Sequence, residues 1–155
     1  MKKLIKAILF FLALPLMNEL VGVAGAQHRS TPAFSHDDYA AVLKAYVDDE
    51  GMVFYEGLKA KREQLDTFVE ALGKLETKTY TQWSQKEKNA FWLNAYNALT
   101  LKAIVDNYPI KSSLIKSLTW PENSIRQIDG VWDKIKFNVM SKMPTLEHME
   151  QPQRA

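Results

Sequence analysis

At 155 residues the chain is long enough for one domain with a single core and too short for two ordinary ones. Its 46% hydrophobic and 25% charged residues exclude collagenous, low-complexity and wholly disordered classes, and the lack of cysteine excludes disulfides, thiolate metal sites and a lipoprotein thiol. The formal net charge of +2 belongs to the N-terminus: residues 1–26 carry three lysines and one glutamate, so the other 129 residues are formally neutral and give no electrostatic argument for nucleic acid or an anionic membrane as partner.

Lys2, Lys3 and Lys6 form a basic start, Ile8 to Met17 an apolar core broken by Pro15, and Ala24-Gly25-Ala26 a small-residue cleavage site. The expectation is an export signal over 1–26, cleaved after Ala26, with a periplasmic or secreted product. An uncleaved anchor is disfavoured because Pro15, Asn18 and Glu19 interrupt the segment before the roughly 20 apolar residues that a span needs. Residues 27–34 read as a linker around Pro32, and 35–155 as one domain.

Ser35 and Asp38 suggest a capping box, after which Tyr39, Val42, Leu43 and Tyr46 follow helical spacing to a helix end near Val47. Asp48 to Gly51 is a turn, Met52 to Tyr55 a short strand, and Leu65, Phe68, Val69 and Leu72 mark a helix over about Leu58 to Leu75. Thr77 to Trp83 is read as a connector. Ser84 and Glu87 form an S-x-x-E capping box that opens a central helix, and Pro109 closes it by disfavouring α geometry at Tyr108. Apolar residues lie on every side of this helix, so it is expected to be buried with the other elements packed around it. Lys111 to Trp120 is a short helix or irregular segment, Pro121 to Ser124 a turn, and Ile125 to Val131 ambiguous. Lys134 to Met140 alternates Ile135, Phe137 and Val139 with Lys136 and Asn138, the period of a half-buried strand, and Thr145 begins a last short helix. The resulting fold class is α+β, predominantly helical, with the central helix at about 84–108, a strand near 52–55 and another near 134–140.

The stretch FWLNAYNALTLKAIVDNYPIKS (Phe91 to Ser112), with YVDDEGMVFYEGLK upstream and VMSKMPTLEHME downstream, resembles the family known as domain of unknown function 547. The resemblance implies an α+β fold, often exported in bacteria, and carries over Asn94, Asn97 and Glu150. Relatives read Ile-Glu-His where this chain has Met149-Glu150-Gln151, and continue into a Ser-Cys-Pro segment that has no counterpart here. Histidine and cysteine in one family invite a nucleophilic thiol with an imidazole base. The resemblance therefore implies a truncated, catalytically incompetent member, whose strand and last helix would leave Ile135, Phe137, Val139, Leu146 and Met149 partly exposed and prone to self-association.

Asn94 and Asn97, three apart on one face of an apolar helix, are the nearest approach to a site. They could hold a substrate or orient an imidazole, but the commoner role of buried amides is structural, here tying the helix to a loop through backbone hydrogen bonds. His28, His36 and His148 lack i, i+4 spacing, so no metal site is expected, and nothing points to a cofactor. Glu147 and Glu150 read as a solvated first helical turn rather than an acid/base pair. Among the aromatics Trp83, Trp92, Trp120 and Trp132, with Tyr55, Tyr96 and Tyr108, most are expected in the core. Trp120 and Trp132 have loop-like surroundings suited to binding cell-envelope polysaccharide or protein. Catalytic residues remain unassigned. The competing readings are thus a truncated, inactive family member, an exported binding or scaffold module, and, least supported, a hydrolase.

Overall fold

The computed structural model describes residues 5–6, 34–111, 114–121 and 123–150. The rest of the expected signal segment and linker, with His28, lies outside the described residues. Seven helices are described: α1 (Asp37–Tyr46), α2 (Tyr55–Ala60), α3 (Glu63–Lys74), α4 (Thr77–Thr81), α5 (Gln85–Asn107), α6 (Leu114–Ser117) and α7 (Leu146–Glu150). Two-residue strands β1 (Ile5–Lys6) and β2 (Met52–Val53) pair antiparallel, with Ile5 opposite Val53. β1 falls inside the segment expected to be removed on export. The fold is predominantly helical, as the periodicities predict.

The capping box of α5 forms as its sequence dictates. Glu87 N–H donates to Ser84 Oγ at 3.3 Å, and Ser84 N–H donates back to the Glu87 carboxylate at 2.7 Å, satisfying two N–H groups that the first turn would otherwise leave open. At the other end Tyr108 is extended, with ψ 139°, and its peptide bond to Pro109 is cis. Between these limits Phe91, Ala95, Leu99, Leu101 and Val105 are fully buried, and α5 packs against α2, α3 and α7. The first turn of the helix stays in solvent, and between Phe91 and Val105 one side remains half-buried at Trp92, Leu93, Tyr96, Thr100 and Lys102, so the expected burial on every side is only partly realised.

Other expectations need correction. Ser35 pairs with Asp37 instead of Asp38: Asp37 N–H donates to Ser35 Oγ at 3.1 Å, because His36 occupies the cap position and the helix starts one residue too late for an S-x-x-D box. The single helix expected from Leu58 to Leu75 is broken at Lys61-Arg62 into α2 and α3, and the strand near 52–55 ends at Val53 because Tyr55 already belongs to α2. The connector from Thr77 contains α4. Ile125 to Gln127, ambiguous in sequence, is a 3-10 turn.

The largest difference concerns Lys134 to Met140. Its alternation is real, with Phe137 and Val139 buried and Lys136 and Asn138 exposed. No ladder forms, however. Phe137 N–H donates to Pro144 O, Val139 N–H to Lys142 O, and Met140 N–H to Leu72 O at the end of α3, so the segment folds back on itself and onto a helix terminus. Gly73 permits that approach: a Cβ there would lie 2.6 Å from the Asn138 amide. The apolar side chains expected to be exposed are instead covered, Phe137 at 7%, Val139 and Leu146 at 0% and Met149 at 4% exposure, with Ile135 half-buried.

Candidate functional site

The polar pair of α5 divides into two environments. Asn94 is half-buried, and its amide Nδ2 lies 3.2 Å from His36 Nδ1, a contact between residues far apart in sequence. With the amide as donor, His36 Nδ1 is the acceptor and the ring proton sits on Nε2. His36 is further enclosed by Phe34 and Phe68, at ring-centroid distances of 5.1 and 5.7 Å. Burial lowers its pKa below the usual histidine value, an effect that neighbouring Asp37 opposes by favouring the cation. His36 was not selected by sequence reasoning as a partner of the asparagines, since the only available signal was its place in front of an amphipathic helix.

Asn97 is buried, at 9% exposure, and makes no side-chain hydrogen bond among the described residues. Among the described residues neither amide donates to or accepts from backbone. Asn94 meets a histidine ring, and Asn97 lies on the buried face of α5 without being among the side-chain polar groups sealed from solvent without a partner. On α2 and α1, Tyr55 and Tyr39 have pKa values pushed above the ordinary phenol value by burial, and among the described residues the buried Tyr55 hydroxyl has no hydrogen-bond partner.

Of Glu150 the structure describes the backbone, at the end of α7. The start of that helix is fixed by Thr145, whose hydroxyl accepts from the His148 backbone N–H at 3.4 Å and lies 2.6 Å from the His148 ring Nδ1. Both described histidines thus already face a neutral side-chain partner. No group of three or more metal-ligating side chains occurs among the described residues.

The aromatic residues separate sharply. Trp83 and Trp92 pack on Phe91 at 5.4 Å each, and Trp92 Nε1 donates to the Tyr80 hydroxyl at 2.9 Å, placing both tryptophans in an aromatic cluster around α5. Trp132 is half-buried and packed against the core, with its indole N–H enclosed and without a partner among the described residues. Trp120 is different. It keeps 36% of its surface exposed, Leu118 two residues before it in the chain is 88% exposed, and the Arg126 guanidinium lies 4.2 Å from its ring.

The loop that carries Trp120 is closely braced. Its N–H donates to Lys116 O at 2.8 Å, and its carbonyl accepts from the buried Gln127 amide at 3.1 Å. The same amide reaches Pro121 O at 3.5 Å, Ser124 N–H donates to Pro121 O, and Arg126 N–H donates to Ser124 Oγ. Gln127 is a positioning residue that sequence reasoning missed, because a glutamine in a polar turn looks like any surface residue.

Residues 80–152 match the model of the family described as "Protein of unknown function, DUF547". No curated protein and no solved structure matches the chain.

Proposed function

Because residues 80–152 belong to the DUF547 family, which carries no assigned chemistry in its description, we propose from the chain's own surface that it is an exported binding module for cell-envelope polysaccharide. The observation that carries this reading is Trp120, an exposed indole on a loop whose backbone is fixed by Gln127 and Lys116. Rigid aromatic surface is suited to the C–H faces of sugars, since burying an indole removes much apolar area from water at little cost in conformational freedom. Export is supported by the basic start, apolar stretch and Ala24-Gly25-Ala26 of the first 26 residues. Among the described residues no helix is long and apolar enough to cross a membrane.

The same proposal holds that the chain is catalytically incompetent. It has no cysteine, and Gln151 follows Glu150 where the family resemblance calls for histidine. The test is co-sedimentation of the purified protein with insoluble envelope polysaccharides. Wild type is expected in the pellet and Trp120→Ala in the supernatant, with a cooperative thermal melt retained to show that the variant is folded. Equal sedimentation of the two proteins, or none for either, would remove the reading.

A further inference from the structure

We infer that the Trp120–Arg126 pair selects an acidic polysaccharide, the indole taking the sugar face and the guanidinium taking a carboxylate on the same or the adjoining residue. This rests on the binding-module reading and adds the ligand's charge. Two cations belong to this loop, and they are used differently. Lys116 Nζ is engaged by Asp129 and by the Gln127 carbonyl. Arg126 is exposed, and among the described residues its guanidinium has the Trp120 ring as partner and no carboxylate.

The guanidinium carbon lies 4.2 Å from the centroid of the ring, and the five N–H donors of an exposed arginine can grip a carboxylate through two parallel hydrogen bonds. The ring contact also sets the cation beside the indole instead of leaving it on a freely moving stem, so less freedom is lost on binding. An uncharged glycan would use the indole and leave the guanidinium with water. A carboxylated glycan uses both.

The experiment compares polygalacturonate with the same polymer after carboxyl reduction, binding each to wild type, Trp120→Ala, Arg126→Gln and Arg126→Lys by affinity electrophoresis. Wild type should bind the acidic polymer about tenfold or more tightly than the reduced one, and Arg126→Gln should erase that difference, as expected for loss of a charge-assisted hydrogen bond. Arg126→Lys should recover part of it, because an ammonium supplies charge without the planar fork. Equal affinity of wild type for the two polymers, or an undiminished preference in Arg126→Gln, overturns the inference; if Trp120→Ala still fails to bind in that case, the binding-module reading survives alone. Binding of neither polymer, or equally tight binding of polyglutamate, overturns the assignment to an acidic glycan.

Discussion

Asn94 and Asn97 have the same side chain and the same helix face, yet the structure predicts opposite consequences for replacing them. Asn94→Leu removes the partner of His36 Nδ1 in a half-buried setting, and a loss of about 1 kcal/mol is expected. Asn97→Leu replaces a buried amide that has no hydrogen bond among the described residues by an apolar group of similar size, so it should be neutral or stabilising. Urea unfolding of both variants checks the contrast, and equal destabilisation would show that Asn97 has a polar partner after all. His36 makes a separate prediction. Its folded pKa is lowered, so the unfolded chain takes up a proton near the ordinary value of 6.5 while the native state resists it. The stability contributed by the neutral ring is fully present above that pH and is lost as pH falls through the folded value. The urea midpoint should therefore drop between about pH 7.5 and about pH 5.5, and His36→Gln should flatten that slope. Asp66 acts in a different window: the hydrogen bond from Arg62 holds its carboxyl below the usual range, so its contribution is lost only in stronger acid.

Among the elements, α7 and the extended segment before it decide how the C-terminal part is held. Leu146 is fully buried where α7 meets α5, and Phe137 and Val139 are covered as their segment bonds to Pro144, Lys142 and Leu72. An amphipathic helix of five residues has no stability alone, so its apolar contacts must hold it in place. Leu146→Ala should cost about 2–5 kcal/mol, the range for a large-to-small change in a packed interior. A thermal melt within about 0.5 kcal/mol of wild type would instead describe an exposed side chain and would restore the expectation of an open apolar face. The break between α2 and α3 illustrates a second point about elements. The apolar repeat that marked the helix begins at Leu65, and at the break Arg62 turns its guanidinium to Asp66 at 2.7 Å and to Asp106 of α5 at 2.6 Å, a contact with another helix at the start of α3.

At the scale of the whole molecule, local signals account for what the sequence determined. The limits of α5, the amphipathic faces of α1 and α3, the Asp48 turn, whose carboxylate accepts from Glu50 and Met52 N–H, and the predominantly helical class all follow from chemistry acting over a few residues: a capping box, a proline, or apolar residues at helical spacing. Family resemblance through the α5 stretch was legible for the same reason. What the tertiary structure alone decided is which distant groups meet. Alternation in Lys134 to Met140 fixed which side chains turn inward, but a strand also needs a neighbour with free N–H and C=O groups, and the groups nearest to this segment belong to a helix end and to its own return. Likewise Trp120 and Trp132 were equivalent in sequence. Packing enclosed the indole N–H of one and left the ring of the other beneath the Arg126 guanidinium, because burial is a property of the assembled core and cannot be read from the residues on either side.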